Sequence, residues 1–440
     1  MGDYMFMLES HLSADQFRVV GQMRDLAGEA GVNVFLTGGA MRDMIGGFSV
    51  RDLDFTVEGN ALKLAKVAEK KLNAKIVSTD DHKKSVELIF PGGATAEIAM
   101  ARQERFAKSG SKPQITAATI HEDLRCRDFT VNAVALSLNK ASLGLPIDPT
   151  NGIGDIERKE IRTIHNYSFY DDPARMLRLM RLKARLGYAI DERTRAHYEN
   201  ARDAGMLEKI SAEAIGIELR KMAEEPNAGD VIESLETEKL IALFSPSLSA
   251  AKLNLATFQK LQKARQLVPS GAEFRIHNLP LFLNVLLEKL NAKERAEIIK
   301  AAELTKAEVA ASQKLEAVAK KLERELKSPK LQKASLLYQL VLHSPGEAIL
   351  YLLLHSAQRI VQDRIKNYFQ KHLPASLEIT DEMVAATGVA AGTPKFAKAK
   401  DQMILTRLDA RPKKVVVEPE PPPAPPMSSF ARGPSVRHAR

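Results

Sequence analysis

Two aspartates one residue apart, Asp52 and Asp54, carry the first chemistry readable in the chain. In the run Asp52–Val57 the polar Asp52, Asp54 and Thr56 alternate with the apolar Leu53, Phe55 and Val57. Strand side chains point to opposite faces in turn, so this pattern sets the two carboxylates side by side over a core-facing Leu53 and Phe55. Neighbouring carboxylates repel unless something positive lies between them. A hard divalent cation such as Mg²⁺ takes oxygen ligands and leaves room for phosphate oxygens. Upstream, the apolar run Val34–Leu36 breaks at Thr37-Gly38-Gly39, and a short helical segment carrying Arg42 and Asp43 follows. Glycines let the backbone approach a ligand, a helix start offers free N–H groups to an anion, and Arg42 adds a charged donor. A phosphate cradle followed by a metal-holding aspartate pair suits phosphoryl or nucleotidyl transfer, where two ions about 3.5–4 Å apart clamp the attacking and leaving oxygens. Gly-Gly alone is a turn and Asp-x-Asp alone is surface; the combination, in this order, carries the reading.

Three further groups stand out. Glu97 lies in the alternating run Thr95–Met100, where a carboxylate near Asp52 and Asp54 would serve as a third metal ligand or as the base for an attacking hydroxyl. Arg127 and Asp128 precede an apolar stretch carrying Asn132; an arginine there can meet a triphosphate bidentately, and Asp128 and Asn132 can hold backbone or a ribose. In Asp171–Arg181, Asp171 or Asp172 is expected to cap a helix with Pro173 in its first turn, and Arg175, Arg178 and Arg181 step by three along it. At 3.6 residues per turn this ladder winds, so the arginines fan along an extended ligand such as a nucleotide. Asp172 accepts hydrogen bonds and Arg175 donates them, a pattern matching the amino group and ring nitrogen of both cytosine and adenine.

The elements that must position these residues divide in two. A helix is expected over 13–30, capped by Ser13 and ended near Gly31, then a mixed region to about residue 165 with strands at 34–36, 52–57, 86–90, 94–100 and 129–138. From about 170 onward the signal is helical, in segments 201–225, 228–243, 281–303, 305–327, 331–343 and 347–370. The 440 residues exceed one compact core. A net charge of +9 favours a polyanionic partner. A single cysteine, Cys126, excludes an internal disulfide framework, and no apolar run approaches the about 20 residues that span a bilayer. With no signal-peptide pattern, the cytoplasm is the expected location and no membrane partner is expected. The Pro-rich run near the end reads as a disordered tail over 412–440.

Taken together, these stretches resemble the class II tRNA nucleotidyltransferases (CCA-adding enzymes) and bacterial poly(A) polymerases, within the polymerase-beta-like nucleotidyltransferases. The matching text is Gly38-Gly39-x-x-Arg42-Asp43, Asp52-x-Asp54, Arg127-Asp128-Phe129-Thr130-x-Asn132-Ala133, Asp148-Pro149-x-x-Gly152-x-x-Asp155 and Asp171-Asp172-x-x-Arg175-x-x-Arg178-x-x-Arg181, in the family's order. The resemblance implies an α+β fold: a nucleotidyltransferase head of mixed sheet and helices (1–165), then an all-helical neck (166–227), body (228–370) and tail (371–411). It implies Mg²⁺-dependent, template-independent transfer of CMP and AMP from CTP and ATP onto a tRNA 3′ end, the helical half gripping the acceptor–TΨC arm. Asp52 and Asp54 would hold the metal, with Glu97 beside them; Gly38, Gly39, Arg42, Arg127, Asp128 and Asn132 would bind the nucleotide; Asp172 and Arg175 would read its base, with Arg178 and Arg181 completing the pocket. Asp171 stands where the family has Glu, Cys126 replaces an arginine, and Ala214 follows Glu213 where an arginine is common. No His-Asp dipeptide occurs, so the phosphohydrolase domain fused to some relatives is not expected. Alternative readings are a poly(A) polymerase, a CC-only or A-only adding enzyme, a small-molecule nucleotidyltransferase, and an RNA-binding protein with an inactive head.

Overall fold

The computed structural model describes residues 4–248, 251–269, 272 and 274–410; the expected tail at 412–440 lies outside them. A seven-stranded mixed sheet is built from β1 (Asn33–Thr37), β2 (Leu53–Glu58), β3 (Lys75–Asp80), β4 (Ser85–Ile89), β5 (Thr95–Met100), β8 (Ala135–Ser137) and β9 (Pro146–Ile147), in the order β3-β4-β5-β2-β1-β8-β9. The numbering leaves β6 (Arg102–Arg105) and β7 (Gln114–Ala117) to a separate hairpin. Within the seven-stranded sheet only β2 and β5 run parallel, joined by a crossover containing the helix Ala61–Leu72. Their register pairs Asp54 with Glu97 and Leu53 with Ala96.

One face of the sheet carries the main head core, in which Val34, Leu36, Leu53, Phe55, Val57, Val86, Leu88 and Ile98 pack on the helix Ala14–Ala30 and its neighbours. That helix starts at a Ser13–Gln16 capping box and ends at Gly31 in the left-handed conformation, as the cap signals predict. The opposite face, bearing Phe35, Thr37, Asp54, Thr56 and Glu97, is covered in part by the helix Ile120–Cys126, through Ile120 and Leu124 on Phe35. The alternation read at 52–57 therefore separates core from site.

Several sequence expectations are corrected. The stretch 129–138 is not one strand: a 3₁₀ turn, Thr130–Asn132, precedes the short β8. Its turn is fixed from outside, because Asp155 accepts the Thr130 hydroxyl at 2.6 Å and a Cβ on Gly152 would lie 2.1 Å from the Thr130 carbonyl. The motif Asp148-x-x-x-Gly152-x-x-Asp155 is thus a local brace, with Asp148 capping the helix Gly152–Arg158 through the N–H groups of Gly152 and Ile153. The helix carrying the arginines runs Arg175–Leu186 with Ala174 at its N-cap; Asp172 instead ends the short helix Ser168–Asp171 and accepts the Ala174 N–H. Four of the expected helical segments are interrupted, at Ala204–Ser211, Glu238–Lys239, Glu288–Asn291 and Ser356–Gln358. From Phe129 onward one continuous core runs through the helical half, taking Phe129, Val131, Ile156 and Ile161 from before residue 165.

Candidate active site

The site lies where the turn after β1 meets the start of β2. Gly38 takes a left-handed φ of +64°, and the helix Gly38–Gly46 begins there. A Cβ at Gly38 would lie 3.0 Å from Arg127 Nη1 and 3.2 Å from Asp54 Oδ2, and one at Gly39 would lie 3.0 Å from Asp54 Oδ2. The paired glycines are therefore what lets the backbone close over the carboxylate, and Asp54 accepts the Ala40 N–H at 3.3 Å. Asp52 sits just outside β2, exposed, and accepts the Thr95 hydroxyl at 2.5 Å. Burial pushes the Asp54 carboxyl up to about 6, with Glu97 and Asp52 adding to the rise and Arg127 opposing it.

That surplus of negative charge, presented only by oxygen donors beside a glycine cradle, fits a hard divalent cation. Among the described residues no three His, Cys, Asp or Glu side chains gather around a common metal position. Glu97 is paired with Asp54 across β2 and β5, and its charge adds to the rise at Asp54. The donor set is a pair of carboxylates, which leaves coordination positions for ligand oxygens.

Arg127 joins this centre to the sheet. Its Nε donates to Asp123, its Nη1 to the Asn132 carbonyl, and its Nη2 to the hydroxyls of Thr56 at 3.0 Å and Thr37 at 3.3 Å. Arg42 is buried. Its Nε and Nη2 donate to Asp43 Oδ1 and its Nη1 to Asn132 Oδ1 at 2.6 Å, so it floors the glycine turn rather than reaching out of it. Asn132 in turn donates to Asp128, which also accepts the Phe129 N–H. Burial raises the Asp128 carboxyl, but Arg178 and Arg175 outweigh it and hold the group well below the usual carboxylate range.

The arginine ladder does something the spacing did not announce. Arg178 Nε donates to Glu218 Oε1 and its Nη1 to Asp128; Arg181 donates from Nε to Glu218 Oε2 and from Nη1 to Glu225. These two arginines clamp the helix Ala212–Glu224 to the helix Arg175–Leu186, Arg178 also reaching the head at Asp128, and Arg181 is left with little surface. Arg175 also turns inward, its Nη1 on the Ser168 hydroxyl at 2.8 Å and its Nη2 on the Cys126 carbonyl. Its buried Nε has no hydrogen-bond partner and stands 3.6 Å from Asp172 Oδ2. Arg175 is buried and Asp172 is partly exposed, so the ion pair presents its acid to solvent more than its guanidinium. Asp171 faces His165 at 3.9 Å.

Sequence reasoning missed Thr37 and Thr56 beneath Arg127, and Asp43, Asp123, Arg185, Glu218 and Glu225 among the charged groups. Asp43 lay within the glycine motif already singled out and Asp123 stands four residues before Arg127; Glu218 and Glu225 carry no local signal, because their partners are about forty residues away in sequence.

A glycine turn closing over a carboxylate pair at the ends of two central strands of a mixed sheet, followed by an all-helical half, defines a nucleotidyltransferase head of the polymerase-beta-like type. Residues 34–162 match the Poly A polymerase head domain. An A-adding tRNA nucleotidyltransferase of Halalkalibacterium halodurans is 32% identical over 262 residues, covering 57% of this chain and 60% of the relative, so the chain spans less than two thirds of that protein's length. A CCA-adding enzyme in an apo form superposes with a TM-score of 0.55 at 27% identity, over 93% of this chain and 96% of that one. The Thermotoga maritima CCA-adding enzyme complexed with tRNA gives 0.52 at 26% identity, over 94% and 96%. Over residues 34–162 the chain is similar to that head domain, and more widely it is similar to A-adding and CCA-adding tRNA nucleotidyltransferases. No helix of the described residues is long and apolar enough to cross a membrane.

Proposed function

We propose that the protein transfers CMP and AMP from CTP and ATP onto the 3′ end of tRNA without a template, releasing pyrophosphate. The observation that carries this is the placement of Asp54 against Gly39 and the Ala40 N–H, with Asp52 next to it and Arg127 behind. Asp52 and Asp54 would hold Mg²⁺, which when bound supplies neutralisation of the triphosphate and a lowered pKa for the attacking hydroxyl. The glycine turn and Arg127 seat the phosphates, with Arg42, Asp128 and Asn132 fixing the floor of that seat. Glu97 accepts the proton of the primer hydroxyl. Asp172 accepts from the base amino group, while Arg175 exchanges Ser168 and Cys126 for the ring nitrogen; its unpaired Nε lowers the cost of that exchange. Arg178 lines the pocket and Arg181 acts through Glu218. Residues 1–165 form the head, 166–227 the neck, 228–370 the body and 371–411 the tail, the last two gripping the acceptor–TΨC arm, in the cytoplasm. The net charge of +9 supports that partner.

The A-adding relative supports a second reading, addition of the terminal A alone. Incubation with Mg²⁺, labelled CTP or ATP, and tRNAs ending before CCA, after C, or after CC distinguishes the readings. Full CCA addition on the first substrate is expected. Incorporation only of AMP, and only after CC, selects the second; long A tails on any RNA select a poly(A) polymerase. No incorporation on any substrate overturns the proposal.

A further inference from the structure

The ion pairs between head and neck close into a ring. Arg185 Nη2 donates to Asp43 Oδ2 at 2.5 Å, and Asp43 Oδ1 accepts from Arg42. Arg42 passes to Asn132, Asn132 to Asp128, Asp128 to Arg178, Arg178 to Glu218, Glu218 to Arg181, and Arg181 to Glu225. Glu225 Oε2 then lies 3.5 Å from Arg185 Nε. Arg185 is the member that closes the circuit. One edge of its fork meets an acid of the helix Gly38–Gly46, the other an acid just after the helix Ala212–Glu224. Its side chain is only 10% exposed and Asp43 only 5%.

Arg42 lies directly under the glycine turn, its Nη2 3.6 Å from where a Gly39 Cβ would stand. Asp43 fixes Arg42 with one oxygen and is itself fixed by Arg185 with the other, so Arg185 sets the azimuth of Arg42 without touching a ligand. We infer that Arg185 is a positioning residue for nucleotide binding: its two-donor fork orients Asp43, and through Asp43 the Arg42 floor of the glycine turn. A lysine keeps the charge but presents no planar fork, so it cannot bridge Asp43 and Glu225 in the same geometry.

This rests on the nucleotidyl-transfer reading, so the experiment measures nucleotide binding apart from turnover. Fluorescent mant-ATP is titrated with Mg²⁺ into the wild-type full chain, Arg185→Lys, and the double variant Asp43→Asn/Arg185→Met, which deletes the charge pair while Glu225 keeps its contacts with Arg181 and Arg51. Thermal melts and the KM for tRNA are measured alongside. The fork model expects both variants to melt near the wild type and to bind mant-ATP about tenfold more weakly, with kcat/KM for nucleotide falling by up to about a hundredfold and the KM for tRNA unchanged. Wild-type nucleotide affinity in either variant overturns the inference, because charge compensation alone would then suffice. So does loss of folding in both, which makes the ring a stabilising device only. A wild-type protein that binds no mant-ATP overturns the nucleotidyl-transfer reading instead.

Discussion

Glu218→Gln tests the energetics of the arginine clamp that braces the head–neck joint from within the neck. Glu218 is 1% exposed and its two oxygens accept from Arg178 at 3.0 Å and Arg181 at 2.9 Å. Burial alone would raise its carboxyl, yet Arg181 and Arg178 together bring it from the ordinary 4.5 down to about 2. At about 1.36 kcal/mol per pH unit, that depression corresponds to about 3 kcal/mol of folded-state preference for the ionised acid. The figure falls at the lower end of the about 3–5 kcal/mol lost when one partner of a buried pair is removed, as expected when glutamine keeps an acceptor. Because the folded pKa is depressed, the contribution is complete above pH 4.5 and disappears as pH falls through 2. Urea unfolding at pH 7.5, followed by circular dichroism, should show Glu218→Gln less stable by about 3 kcal/mol, and the gap between variant and wild type should narrow from about pH 4.5 downward. A loss below about 1 kcal/mol at pH 7.5, the value of an exposed pair, would refute the assignment of a desolvated clamp. A loss that did not change with acidification would refute its electrostatic origin.

Asp54→Asn removes the carboxylate that the glycine turn encloses, and nucleotide incorporation into tRNA should fall by at least about a thousandfold; incorporation within tenfold of wild type would displace the metal site from this strand. Gly38→Ala forces a left-handed φ on a residue with a Cβ and pushes that Cβ to 3.0 Å from Arg127 Nη1, so a loss of about 1–2 kcal/mol in unfolding free energy and a raised KM for CTP and ATP are expected, read by urea titration and steady-state kinetics. Glu97→Gln should lower kcat by about a hundredfold while leaving the KM for nucleotide near wild type, as removal of a base does; an unchanged kcat reduces Glu97 to a neighbour of Asp54.

What the sequence made legible was the chemistry that depends on near neighbours. The alternation at Asp52–Val57 predicted which face of β2 is core and which is site, and the Ser13 and Gly31 signals bounded the first long helix. The destination of the arginines was not legible. A three-residue step in Arg175–Arg181 is the same whether the guanidinium groups meet a ligand or acids folded back from residues 218 and 225; only tertiary placement decides. The 129–138 stretch reads as a strand because its residues are apolar, but the Thr130–Asp155 bond and the close approach at Gly152 impose a turn. In the helical half, Ala, Leu, Lys and Glu mask the interruptions by composition. The caps at Ser211 and Asn291 were nonetheless there to be read, each accepting the N–H three residues on.

The ring between head and neck has four guanidinium groups, of Arg42, Arg178, Arg181 and Arg185, set against four carboxylates, of Asp43, Asp128, Glu218 and Glu225. It sums to zero and sits largely out of water, where dissolved ions screen weakly. A basic surface holding a polyanion behaves in the opposite way, because each phosphate contact releases counterions and weakens steeply as electrolyte rises. If the protein holds RNA as proposed, potassium chloride should release that RNA well before it slackens the joint, and nucleotide binding should outlast primer binding as electrolyte rises.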